Sequence, residues 1–223
     1  MKNIIILNVV TLIFTINVSA QSLMTNTINN INFKQSDIFN NAIVKISRAY
    51  NVRICVENKM YSERQKLTRN EMDNLSLYYH TMPMAFTNAT LETVFDAILH
   101  TTTNHVWRYD NNTGTIYIYP ETNTVSMIKI GPVCITNAPA KHFHNRNDML
   151  GLKQYNFKHN YGRSNEILDD VKINLEFEEA YVWEVFDMVC EQMPNKTGWI
   201  INESFDPEIG KIYWFEFYDK NFP

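Results

Sequence analysis

Phe86-Thr87-Asn88-Ala89-Thr90-Leu91-Glu92-Thr93-Val94-Phe95-Asp96-Ala97-Ile98 is answered 91 positions later by Phe177-Glu178-Glu179-Ala180-Tyr181-Val182-Trp183-Glu184-Val185-Phe186-Asp187-Met188-Val189. Phe86 meets Phe177, Ala89 meets Ala180, Leu91 meets Val182, and Val94-Phe95-Asp96 meets Val185-Phe186-Asp187. After small insertions, Trp107 meets Trp199, and Gly114-Thr115-Ile116-Tyr117 meets Gly210-Lys211-Ile212-Tyr213. One triplet recurs easily by chance. The ordered set of flanking apolar positions, the Trp and the Gly-x-Ile-Tyr together mark an internal repeat.

Each copy has one physical reading. Leu91, Val94, Phe95 and Ile98 recur at helical spacing and form one buried stripe, with Thr90 as N-cap. Val182, Val185, Phe186, Val189 and Met193 make the equivalent stripe. Ahead of the second helix, Val171, Ile173, Leu175 and Phe177 alternate with polar residues, as in a half-buried strand. After the first helix, Val106 to Tyr109 and Thr115 to Tyr119 flank Asp110-Asn111-Asn112-Thr113-Gly114, a hairpin whose Asn and Gly supply positive φ. A fainter copy precedes these: Phe39, Ala42, Ile43 and Ile46 repeat the stripe, Ser36 and Asp37 suit the helix start, and Val52, Ile54 and Val56 alternate as a strand. Leu152 to His159 reads as another strand and Ser164 to Leu168 as a helical turn. The fold class is therefore α+β, with helices packed on small mixed or antiparallel sheets in repeated βαβ-like units. Residues 21–120 form a first small domain and 151–223 a second, degenerate unit ending in a hairpin. Residues 121–150 read as a linker or irregular connection, apart from a possible strand at Val125 to Ile130 that Gly131-Pro132 breaks.

Residues 1–20 read as a secretory leader. Met1-Lys2-Asn3 carries one positive charge, Ile4 to Ile16 is mostly apolar, and Val18-Ser19-Ala20 has small residues where signal peptidase reads. The apolar stretch is short of the roughly 20 residues that span a bilayer. An uncleaved anchor is the alternative. Gln21, not Cys, follows the expected cut, which argues against a lipid anchor. The expectation is a soluble product in the periplasm or outside the cell. Removing the leader takes the formal net charge from −4 to −5, which argues against nucleic acid and anionic membranes as partners. Cys55, Cys134 and Cys190 allow one bridge at most, and a Cys134–Cys190 bridge stands beside three free thiols as alternatives.

The first half resembles the short N-terminal domain shared by secretins and TonB-dependent receptors, the STN domain, and is similar to the C-terminal domain of FecR-like regulators. Phe33 to Glu57 and Ala85 to Tyr119 carry the likeness. Within them, Ala89 to Leu99 matches a leucine-led helix behind a small residue, and Trp107-Arg108-Tyr109 through Thr115-Ile116-Tyr117-Ile118 matches a closing hairpin. Residues 31–119 are covered mainly, with a weaker echo in 152–218. The resemblance implies a βαββαββ domain that docks protein partners at the bacterial envelope. It departs from the family in lacking the series of lipid-facing strands a pore would need.

No catalytic motif is present: no GxSxG, no HExxH, no phosphate-cradling glycine loop. The expected protein is therefore not an enzyme and needs no cofactor. His142 and His144 are weak metal candidates, sharing a face if extended. Glu178-Glu179 sits just ahead of a helix, where acids suit the dipole. Aromatic residues are the best binding signal. On Thr115 to Tyr119 the isoleucines take one face and the tyrosines the other, so either both faces are covered or an aromatic face awaits a partner. Tyr117, Tyr119 and Trp214 are the partner-binding candidates, for an envelope protein joined through sheet edges. The alternative is a secreted enzyme, or a metal- or glycan-binding protein, with a site assembled from dispersed residues.

Overall fold

The computed structural model describes residues 27–28, 30–33, 39–58, 84–100, 105–121, 124–140, 152–159, 171–193, 198–206 and 208–218. In chain order the elements of the first unit are β1 (Thr27–Ile28), β2 (Ile31–Phe33), α1 (Phe39–Tyr50), β3 (Arg53–Asn58), β4 (Met84–Phe86), β5 (Ala89–Thr90), α2 (Leu91–His100), β6 (His105–Asp110) and β7 (Thr115–Pro120). The second unit follows with a 3-10 turn (Val125–Met127), β8 (Lys129–Ile130), β9 (Val133–Pro139), a second 3-10 turn (Leu152–Tyr155) and β10 (Phe157–His159). It closes with β11 (Lys172–Phe177), β12 (Ala180–Tyr181), α3 (Val182–Glu191), β13 (Gly198–Asp206) and β14 (Gly210–Tyr218). The fold is α+β.

Local chemistry accounts for the elements the repeat predicts. Leu91, Val94, Phe95 and Ile98 are all buried on α2, as the stripe requires. The Thr90 hydroxyl accepts from the Thr93 amide at 3.1 Å, an N-cap bond. In α3 the cap position holds Tyr181 instead, and Glu184 reaches back to accept from its amide at 2.8 Å. In the first hairpin the Asp110 carboxylate accepts from the Asn112 amide, and Gly114 donates back to the Asp110 carbonyl at φ 66°. Asn51 and Asn156 hold matching left-handed conformations, φ 52° and 56°, just ahead of β3 and β10.

The two units are built alike. In the first, β1 pairs with β5 and β2 with β4, both antiparallel. In the second, β8 pairs with β12 and β9 with β11 in the same way. Residues 121–150 are thus more than the expected connection, because they supply β8 and β9. β9 was hidden because its partner, β11, lies some forty residues later in the chain, and two-residue β8 pairs with β12 about fifty residues on. Val125 to Ile130 is a 3-10 turn followed by β8, not one strand, and Leu152 to Tyr155 is a turn that only then enters β10. Ser36, Asp37, residues 164–168 and the leader lie outside the described residues.

One six-stranded sheet, in the order β10-β14-β13-β3-β7-β6, runs through both units. β3 and β7 are parallel and β6 antiparallel to them. β10 and β14 are likewise parallel and β13 antiparallel. The units meet where β13 pairs in parallel with β3, Ile200 opposite Val56 and Asn202 opposite Asn58.

Alternation along β3 shows which face each helix covers. Ile54 and Val56, with Ile116 and Ile118 of β7, pack with α1 and α2. Cys55 and Tyr117, one residue out of phase, pack instead with α3. α3 therefore covers the opposite face from α1 and α2. The second unit repeats the first with strand direction reversed and its helix on the other face. That relation is a half-turn about an axis in the sheet across the strands, combined with a step along it. It also corrects the Gly-x-Ile-Tyr match. Both glycines close hairpins, but Ile116 and Ile118 face the first unit's helices, whereas Tyr213, Phe215 and Phe217 face α3.

Candidate functional site

The repeated Val-Phe-Asp carries a repeated bond. Asp96 accepts the Trp107 indole N–H at 2.9 Å, and Asp187 accepts the Trp199 indole N–H at 2.8 Å. Asp96 is exposed, and Asp187 is buried where the units meet. There it receives two further donors from the first unit: the Tyr117 hydroxyl and, at 3.7 Å, the Cys55 thiol. One carboxylate of α3 thus ties together β3, β7 and β13. Burial holds the Asp187 carboxyl above its ordinary range, although the Tyr117 and Trp199 donors and Arg53 pull it down. Burial and the facing Asp187 push the Tyr117 phenol well up.

Above this hub lies a cavity of about 360 Å³, in the size range of small-ligand sites. Tyr117 and Tyr119 of β7 and Trp199 of β13 line it from the sheet, while Tyr181 and Trp183 line it from the start of α3. Thr124, Ser126 and Met127 of the first 3-10 turn complete the wall. That turn is held by the buried Glu57 carboxylate, which accepts from the amides of Val125 at 2.5 Å and Ser126 at 3.0 Å. Tyr117 meets Trp183 edge to face, with ring centroids 5.8 Å apart.

Among the described residues Arg108 is the one cation in the lining. It lies opposite Tyr117 in the β6–β7 register. Its guanidinium sits over the Tyr117 ring at 4.9 Å and the Trp183 ring at 5.6 Å. Among the described residues it has no ion-pair partner. Glu121 is the one acid among the described residues of the lining and is exposed. Lys129 lies over Tyr181 at 5.5 Å and bridges to Glu179 at 2.6 Å, so that member of the expected dipole pair serves a surface ion pair.

Two of the three aromatic candidates come together here. Tyr117 is buried and Tyr119 half-buried, both facing the cavity. Trp214 does not join them. It is out of phase with Phe215 and Phe217, so it lies on the other face, with the Lys158 ammonium over its ring at 5.4 Å. His142 and His144 lie outside the described residues. Among the described residues no His, Cys, Asp or Glu cluster is placed to hold a metal. All three cysteines are free thiols: Cys134 is exposed, whereas Cys55 and Cys190 are buried. Burial pushes both buried thiols far up, which disfavours the nucleophilic thiolate. Among the described residues no helix is long and apolar enough to cross a membrane.

Sequence reasoning missed Arg108, Tyr181 and Trp183. A signal existed for two of them. Trp107 and Tyr109 alternate with Arg108, which puts Arg108 on the tyrosine face, and Trp183 is a large aromatic standing off the stripe of its own helix. Comparison with family models, with curated proteins and with solved structures found no match for this chain.

Proposed function

We propose that this chain is an exported, non-enzymatic docking module of the bacterial envelope, made of two units that resemble the STN domain. One observation carries the reading. The second unit's outer hairpin strand, β13, pairs in parallel with a strand outside its own unit, β3. β6 is the corresponding outer strand of the first unit, and among the described residues no strand pairs with its outer edge. An edge strand offers a row of backbone donors and acceptors to an extended segment. The buried, protonated thiols and the absent catalytic motifs support binding over turnover.

The test is site-specific cross-linking in the native host. A photo-reactive residue at Asp110 is expected to capture one identifiable envelope protein, and the same residue at the exposed Glu92 of α2 is expected to capture none. Equal capture at both positions, or none at Asp110, overturns the edge reading. N-terminal sequencing of the exported chain is expected to start at Gln21. A chain retained in the cytoplasm with Met1 intact overturns export.

A further inference from the structure

We propose that the cavity between the two units binds a peptide carboxylate carried beside an aromatic side chain. This site is distinct from strand pairing at β6 and does not require it. The argument begins with Arg108. A guanidinium stacked on two rings has lost part of its hydration and most of its rotational freedom, yet its planar N–H fork stays available at the edge. Tyr117 and Trp183 provide that stack at 4.9 and 5.6 Å. No described carboxylate occupies the fork. The buried Asp187 beneath is engaged by Tyr117, Trp199 and Cys55. A planar, oriented and unneutralised guanidinium selects a planar anion with two oxygens, bound by two charge-assisted hydrogen bonds.

The walls define the rest of the ligand. Five aromatic side chains line a cavity of about 360 Å³, room for one bulky side chain and the carboxylate next to it. Besides Arg108, the polar lining consists of the Thr124 and Ser126 hydroxyls, Glu121 and the polar ends of the aromatic side chains. An aromatic side chain packs on those rings with no polar group left to satisfy, whereas a sugar acid needs a partner for each hydroxyl it brings. Both sides of the cavity come from different units, and Glu57 anchors the turn between them. The site is thus assembled before any ligand arrives, which lowers the ordering cost of binding.

The test uses the full exported chain and three probes, read by the indole N–H resonances of Trp183 and Trp199. The probes are acetyl-Leu-Phe with a free C-terminal carboxylate, acetyl-Glu-Phe amide, and digalacturonate. Acetyl-Leu-Phe amide serves as the uncharged control. At least one of the two peptide carboxylates is expected to bind on the order of tenfold more tightly than the control, consistent with one charge-assisted pair. Which of them binds tells whether a chain terminus or an acidic side chain is read. Arg108→Gln is expected to erase the difference between acid and amide with at most a small fall in melting temperature, since the stacking contacts of an exposed arginine are weak. Arg108→Lys is expected to restore part of it. Equal binding of acid and amide, no response from either indole, or tighter binding of digalacturonate than of both peptides overturns the proposal.

Discussion

Replacing Asp187 by alanine removes the acceptor on which the two units converge. Asp187 is 7 % exposed, so water does not readily take its place. The Trp199 indole N–H, now 2.8 Å from it, and the Tyr117 hydroxyl both lose their acceptor. Each buried donor left unpaired costs about 1–3 kcal/mol. Removing a carboxyl whose charge is disfavoured by burial returns part of that. The expected net loss is about 3 kcal/mol. In a chain of this size that lowers the melting temperature by roughly 2–4 °C per kcal/mol, or on the order of 10 °C. Asp96 is the built-in control, because it accepts the matching Trp107 bond at 2.9 Å but is exposed. Asp96→Ala is expected to cost about 0.5–1.5 kcal/mol, the value of one ordinary hydrogen bond.

The assay is urea unfolding of both variants beside the parent chain, followed by tryptophan fluorescence. Equal losses in the two variants would refute the hub. A pH series adds a second reading. Burial raises the native pKa of Asp187 above its unfolded value, so the folded state holds the proton more tightly. That contribution to stability is full below the ordinary carboxylate pKa and is lost as pH rises through the raised native value. Asp187→Asn has no such titration. The parent chain is therefore expected to gain on Asp187→Asn as pH falls from neutral toward 4, and a flat difference would contradict the assignment.

Three further outcomes follow from the packing. A Cβ at Gly198 would lie 2.2 Å from the Ile54 carbonyl and 2.7 Å from the Tyr218 ring; Gly198→Ala is expected to cost about 1–3 kcal/mol by forcing β13 from β3, measured by urea unfolding, and a neutral result would mean the junction yields easily. In native protein only the exposed Cys134 is expected to react quickly with a thiol reagent, with Cys55 and Cys190 following in denaturant; two or more rapid equivalents would contradict the buried pair. Thr90→Ala is expected to cost about 1 kcal/mol by removing the α2 cap, and Glu184→Ala a comparable amount through the Tyr181 amide, both seen in thermal unfolding.

How much was legible in the sequence depended on the range of the interaction. The stripes of α2 and α3 and the turn at Asp110 to Gly114 rest on contacts within a few residues, and their side chains stand where the periodicity placed them. β9 escaped notice because it is stabilised by a distant partner, β11, and its own alternation is brief, whereas β8 is what remains as strand of the stretch expected at Val125 to Ile130. The Gly-x-Ile-Tyr match was true of the turn and misleading for the strand: a strand's side chains change face at every residue, so a small shift in hairpin register exchanges the buried set. Tyr117 and Tyr119 were singled out as aromatics on one face. The alternation in Trp107-Arg108-Tyr109 puts Arg108 on the tyrosine face, but nothing local fixed the register that sets it across from Tyr117 or brought Trp183 of the other unit over it.

The sequence by itself determined the repeated unit: its helix stripes and its hairpins. These follow from backbone and side-chain preferences acting over one or two turns of chain. Only the tertiary structure decided that β13 would run beside β3, that α3 would cover the face opposite α1 and α2, and that Asp187 and Tyr117 would meet under an aromatic cavity. Identical units can dock in several ways with similar local energies. The choice among them rests on which buried polar groups find partners and which apolar faces are covered, and those are properties of the assembled chain.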